Sequence, residues 1–312
     1  MSDSSLLQFA SEWPAPTVWL VLVWLFAVGA CIGSFMNVVI YRLPAGLSLL
    51  HPPSRCPICE TPIRPTDNVP ILGWLWLRGR CRSCRAPISP RYPAVELLVA
   101  LAFVGLAWVE RISGGSNQPT APGIPTHELW GPYAYHLFLL CSLICAAFTE
   151  LDKHRLTTRL ILPPFLVGLI APLVWPHLRL LTGSAPLATL VPPPFAGIVG
   201  VATGFVLGFA IAALDRVWQT KTQPSLARVN EKQPTGGPPS IVDFGVALAW
   251  VGAFLGWQAV IALAAVAGTT RLLLALAGRI LPVLARIGLI ACLTPWTAVW
   301  ILTWRVIAEQ LA

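Results

Sequence analysis

The chain has 312 residues, of which 56% are hydrophobic and only 11% charged, with a mean hydropathy of +0.71. A water-soluble domain carries about a quarter charged residues to cover its surface, so the composition excludes a soluble globular protein, a disordered chain, a fibrous repeat and a secreted disulfide scaffold. The net charge of +8 fits a polytopic membrane protein whose Lys and Arg sort into cytoplasmic loops; nucleic acid is not an expected partner, and the lipid bilayer is.

Crossing ~30 Å of hydrocarbon takes roughly 20 apolar residues. The first such run is 17–41. The residues before it carry Asp3 and Glu12 and no basic residue, so it lacks the positive start of a cleaved signal peptide and reads as a retained anchor. A polar loop, 42–92, follows, and then apolar runs at 93–110, 132–151, 160–178 and 195–218. The last of these places Gly200, Gly204 and Gly208 on one smooth stripe, where a neighbouring helix can approach closely. The stretch 243–278 has room for two helices and breaks most naturally at Gly256-Trp257; the run 284–308 closes the series. The expected fold is all-α and polytopic, with about eight transmembrane helices arranged as an N-terminal anchor (1–41), a cytoplasmic loop (42–92) and a helical membrane core (93–312). Segments Gly114 to Gly131 and Thr220 to Pro239 read as flexible linkers. No internal repeat is expected.

The basic residues orient this scheme. Eight Arg fall in 42–92, and the loops 152–159, 215–241 and 279–286 bring the total on that side to 17 of the 21 Lys and Arg. Arg111, Arg179 and Arg305 fall on the other side, and Arg271 lies inside a span. The excess places the 42–92 loop in the cytoplasm and both termini outside it.

Four of the eight cysteines form Cys56-Pro-Ile-Cys59 and Cys81-Arg-Ser-Cys84 within that loop. Two such knuckles can close a tetrahedral thiolate site around a structural zinc ion. Arg55, Arg80, Arg82 and Arg85 flank the ligands and offset the net negative charge of a four-thiolate centre. A redox dithiol and metal-free cysteines are the alternatives; four thiolates would leave no open position for catalytic water. Cys31, Cys141, Cys145 and Cys292 fall in spans, where a free Cys is an apolar filler. The five histidines show no ligand spacing.

Acidic residues at span edges are few: Glu96, Glu150 with nearby Asp152, and Asp243. A charge at membrane depth costs at least ~2.5 kcal/mol and marks a functional candidate. All of them fall at cytoplasmic ends in this topology. Two facing carboxylates there could share a proton and activate water; alternatively, each extends into the interface or pairs with loop arginines.

The run Gly33-Ser34-Phe35-Met36-Asn37-Val38-Val39-Ile40-Tyr41-Arg42-Leu43-Pro44 resembles the opening motif of the prepilin peptidases, the type IV leader peptidases. So does the stretch from Cys56 to Leu98, with Asp67-Asn68-Val69-Pro70, Leu77-Arg78-Gly79-Arg80-Cys81 and Ile88-Ser89-Pro90-Arg91-Tyr92-Pro93-x-x-Glu96. A weaker likeness continues through Gly252 to Gln258. The resemblance implies an eight-span aspartic endopeptidase of the bacterial inner membrane that removes the basic leader of type IV prepilin or pseudopilin precursors. It also implies N-methylation of the new N-terminus with S-adenosylmethionine, an activity that the long cysteine loop accompanies.

The matching active-site segments depart from that family. The usual Asp-x-Asp reads Glu150-Leu151-Asp152, followed by Thr157-Thr158 instead of Pro-Asp, and the usual Gly-x-Gly-Asp reads Ser240-Ile241-Val242-Asp243. Carried over position by position, the dyad is Glu150 and Asp243, with Asp152 as a substitute. The alternative is a catalytically impaired relative that binds prepilin-like helices or assembly partners.

Overall fold

A computed structural model describes residues 15–112, 130–175, 178, 195–222, 241–278, 281, 283–284 and 287–311. Among them the fold is helical: α1 (Ala15–Arg42), a short α2 (Leu72–Trp76), α3 (Arg91–Ala107), α4 (Trp130–Leu151), α5 (Thr158–Val174), α6 (Ala196–Thr222), α7 (Ile241–Leu255), α8 (Trp257–Ala277) and α9 (Leu289–Leu311). A π turn, Trp108–Ile112, extends α3. Each expected apolar run overlaps a helix, and 243–278 overlaps two, so eight described helices stand where the sequence predicts about eight spans, not all of them of membrane-crossing length. Five of these, α1, α3, α4, α6 and α8, are long and apolar enough to cross a membrane; α5, α7 and the apolar part of α9 are shorter.

Two boundaries have clear local causes. The chain breaks at Gly256, whose φ of 84° lies in a region that side-chain-bearing residues avoid. The expected run 160–178 stops earlier as a helix, at Val174. Trp175 precedes Pro176, whose ring disfavours helical dihedrals in the residue before it, and Trp175 has left them at φ −125°, ψ 88°. The Gly114 to Gly131 and Thr220 to Pro239 linkers lie almost wholly outside the described residues.

The chain divides into two compact units, Met1–Gly114 and Gly115–Ala312. In the first, α1 and α3 form an antiparallel hairpin. A Cβ on Gly29 would lie 2.8 Å from Ala100 Cα, and one on Gly33 would lie 2.7 Å from Glu96 Cα. Asn37 Nδ2 donates to the Tyr92 carbonyl at 3.1 Å one turn further on. The loop between these helices is pinned at its start by Arg42, which donates to the carbonyls of Ser48 (2.9 Å) and Pro52 (2.8 Å).

The second unit is a helical bundle in which α6 and α7 run antiparallel along the expected glycine stripe. Gly200 faces Gly252, a Cβ on Gly204 would lie 2.5 Å from the Leu248 carbonyl oxygen, and one on Gly208 would lie 2.7 Å from Gly245 Cα. Larger residues on this stripe would force the backbones apart. Helix α4 is antiparallel to α7 as well: Tyr135, near its start, donates to the Ala253 carbonyl at 3.4 Å and stacks on Phe254, near the end of α7. The α7 side chain Trp250 donates in turn to Ile161 of α5 at 3.3 Å.

Candidate functional site

The cysteine loop is built from two copies of one small unit. Arg55-Cys-x-x-Cys-x-x-Pro-Ile-x-Pro65 and Arg80-Cys-x-x-Cys-x-x-Pro-Ile-x-Pro90 share a pattern 25 positions apart. Each copy closes with the same hydrogen bonds: Glu60 N–H to Cys56 carbonyl (2.9 Å) and Arg85 N–H to Cys81 carbonyl (3.1 Å), then Cys56 N–H to Thr61 (3.0 Å) and Cys81 N–H to Ala86 (2.8 Å). Each also carries a left-handed residue just after its second cysteine, Glu60 at φ 55° and Arg85 at φ 60°. The absence of an internal repeat, expected from the sequence, is therefore corrected. The repeat is only about 11 residues long and occurs twice, so it leaves no long-range periodicity.

The paired knuckles bring the four sulfurs together. Cys56 and Cys84 Sγ are 3.8 Å apart, Cys59 and Cys81 Sγ are 4.0 Å apart, and all four lie within 4.8 Å of one another. A tetrahedral zinc site with bonds of about 2.3 Å has sulfur separations near ~3.8 Å, so this donor set fits such an ion. The Thr61 hydroxyl, 3.4 Å from Cys59 Sγ, and the Thr61 backbone N–H pull the Cys59 thiol down to about 6. The N–H groups of Cys84 and Ser83 lower Cys81 as well. Thiolates are the metal-binding form. Arg82, between the ligands of the second knuckle, reaches back to Asp67 (Nε to Oδ2, 2.7 Å) and ties that knuckle to the 3-10 turn Pro65–Asn68.

Glu96 holds this loop against the hairpin. Its Oε2 accepts the Ile71 N–H at 2.6 Å, and Ile71 has a φ of 63°. The carboxylate thus anchors a strained turn at the start of α2.

Glu150, Asp152 and Asp243 belong to the second unit. Glu150 is in the last turn of α4 and Asp243 in the first turn of α7, and both are buried. Because α4 and α7 are antiparallel, these positions fall at the same end of the bundle. Oε2 of Glu150 accepts the backbone N–H groups of Ile290 (3.0 Å) and Ala291 (3.1 Å), the unsatisfied donors at the start of α9. Gly288 leaves room for this carboxylate, which a Cβ there would strike. Both acids therefore occupy helix N-termini, where the macrodipole favours negative charge.

Asp152 is placed differently. Helix α4 ends at Leu151 in a Schellman motif, with Lys153 left-handed at φ 64°, Lys153 N–H on the Glu150 carbonyl (2.9 Å) and His154 N–H on the Thr149 carbonyl (3.0 Å). Asp152 lies in that turn, partly exposed, beyond the helix.

Two further groups lie at this end: Asp215, which the sequence reading missed, and Arg271, which it set inside a span without a role. Asp215 on α6 and Arg271 on α8 form an ion pair, Oδ2 to Nε at 3.5 Å, with Arg271 buried. Arg271 carried a signal, being a charge inside an apolar run. Asp215 adjoins Arg216 at a span edge and reads as loop.

Residues 27–109 match the Bacterial Peptidase A24 N-terminal domain. The chain is 34% identical to the prepilin leader peptidase/N-methyltransferase of Aeromonas hydrophila over 278 residues, covering 81% of this chain and 78% of that one. It is 35% identical to that of Klebsiella pneumoniae (81% and 91% covered) and 33% to that of Dickeya chrysanthemi (86% and 84%). No solved structure gives a significant match. With a third of its residues identical across most of the length of these proteins, the chain belongs to the prepilin leader peptidase/N-methyltransferase family.

Proposed function

We propose that this protein is a multi-pass aspartic endopeptidase of the bacterial inner membrane. It removes the basic leader from type IV prepilin-like or pseudopilin precursors, with Glu150 and Asp243 as the reacting carboxylates and both termini outside the cytoplasm. The observation that carries the reading is the placement of two buried acids, from α4 and α7, at one end of the second unit. In such a pair one carboxyl keeps its proton and the other accepts one from water. The water oxygen bonds to the scissile carbonyl carbon, the carbon–nitrogen bond breaks, and the protonated carboxyl gives its proton to the leaving amine. The positive-inside count sets this end of the bundle on the cytoplasmic side, where a basic leader would lie while the precursor's apolar helix stays in the bilayer.

The names of the relatives couple a prepilin leader peptidase with an N-methyltransferase; by the same reading this protein methylates the amine that cleavage exposes, with S-adenosylmethionine as the implied donor. Zinc in the cysteine cluster is assigned a structural role: Cys56, Cys59, Cys81 and Cys84 would fill its coordination shell, and the metal would lock the two knuckles together. Incubating membranes containing the protein with a prepilin precursor tests the reading. Mass spectrometry should show loss of the leader, plus a methyl group when S-adenosylmethionine is added.

A further inference from the structure

The short helix α2 (Leu72–Trp76) has two unlike faces. On the inner one, a Cβ at Gly73 would strike the Asp67 carbonyl, and Trp74 Nε1 donates to the Ile88 carbonyl at 3.0 Å with its ring against Gly79. On the outer one stand Leu72, Leu75 and Trp76, whose i, i+3, i+4 spacing puts them side by side. All three are exposed, Leu75 at 54% and Trp76 at 65%. Exposed apolar residues that occur singly mean little, but three on one helix turn mark a contact surface.

Two observations say what this surface meets. The first is depth. The Ile71 N–H at the start of α2 is held by Glu96 Oε2 at 2.6 Å, and Glu96 is a buried residue in the second turn of α3. The apolar run that α3 opens, Arg91–Ile112, has 22 residues, which is about 33 Å of helix against ~30 Å of hydrocarbon. So little surplus leaves the first turns of α3 at the bilayer surface, and α2 is fastened to them there. Tyr92, bonded through its carbonyl to Asn37, and Tyr41, one turn further along α1, are exposed at this level, where tyrosine rings collect at membrane–water interfaces. The second observation is charge. Arg78 and Arg80 follow α2 directly and are exposed. Residues 42–92 hold eight Arg against two acids, Glu60 and Asp67. That excess attracts anionic lipid headgroups and repels a basic peptide.

We propose that α2 is an interfacial helix of the cytoplasmic leaflet: Leu72, Leu75 and Trp76 insert at the headgroup–acyl boundary beside α3, with Arg78 and Arg80 on anionic headgroups. The cysteine loop thereby rests on the membrane, and the Glu96 carboxylate is the strut that sets its height. The proposal rests on the multi-pass reading and its orientation, and is independent of the assignment of the reacting carboxylates.

The test uses the full chain in vesicles of phosphatidylethanolamine and phosphatidylglycerol. Leu75→p-benzoylphenylalanine introduces a photoactivatable side chain, and mass spectrometry after irradiation identifies what it captures. The same substitution at Leu101, exposed on the apolar part of α3, is the positive control. A phospholipid adduct at position 75 is expected, in a yield within about threefold of that at 101. Replacing phosphatidylglycerol by phosphatidylcholine should lower the yield at 75 by at least about twofold and leave that at 101 unchanged. A yield at 75 that does not respond overturns the headgroup role of Arg78 and Arg80. A lipid adduct at 101 with none at 75 overturns the proposal, as does capture at 75 of a second copy or of another segment of this chain. Should the Leu75 variant fail to fold, Trp76→p-benzoylphenylalanine, which replaces one aromatic side chain by another, decides by the same criteria. Absence of a lipid adduct at 101 removes the membrane-spanning reading of α3 and this inference with it, whereas failure at 75 alone leaves that reading standing.

Discussion

Glu150 Oε2 lies 3.0 Å from the backbone nitrogen of Ile290, 140 positions later, so a side chain at the end of α4 caps the start of α9. The Glu side chain reaches these donors from the last turn of α4. Glu150→Asp shortens the reach by one methylene and should leave the buried N–H groups of Ile290 and Ala291 poorly satisfied, at a cost of about 1–3 kcal/mol. Gly288→Ala should be at least as damaging, since its Cβ collides with the carboxylate. Thermal unfolding in detergent checks both; two variants as stable as the wild type would refute the capping role.

The sulfur geometry predicts about one zinc ion per chain. Substituting Ser for any one of Cys56, Cys59, Cys81 and Cys84 should remove the metal and expose the 42–92 loop to protease. Metal analysis of the purified protein, followed by limited proteolysis with and without chelator, measures this. Metal retained after loss of Cys84 would rule out a four-thiolate centre.

The Arg82 guanidinium beside Asp67 holds that carboxyl below its usual range. A depressed carboxylate contributes stability that is present above its unfolded value and lost as pH falls through the folded one. The difference in loop protection between wild type and Asp67→Asn should therefore be full at neutral pH and vanish only below the ordinary Asp range, near pH ~4. The Arg82 side chain is about half exposed, so high salt should shrink it too. A difference that grows on acidification would contradict the assignment.

Topology has an independent check. A reporter fused at Arg64 should read as cytoplasmic and one at Asn117 as outside, because 17 of the 21 basic residues fall on the first side. The reversed pattern would overturn the orientation.

The helices were largely legible because apolar length and glycine punctuation are local properties: Gly256 marks the α7–α8 break, and the Gly200, Gly204 and Gly208 stripe marks the face that meets α7. The cysteine cluster was legible for the same reason, since two short knuckles with ligand spacing need only one fold-back to meet. What stayed hidden was relational. Nothing near Glu150 reveals that α9 will present its N–H groups there, and nothing near Asp215 reveals that Arg271 will sit opposite. Asp152 and Glu150 are two positions apart, yet a helix end falls between them, which separates a buried carboxylate from a partly exposed one.

The central claim is that Glu150 and Asp243 together carry peptide cleavage. Its most direct test is the mass of a prepilin precursor after incubation with wild type, Glu150→Gln and Asp243→Asn, each shown to be folded. Loss of the leader by the wild type and a drop of at least about a hundredfold in each variant, within the range for losing an acid–base group, is the result expected. Cleavage at the wild-type rate by both folded variants would contradict it.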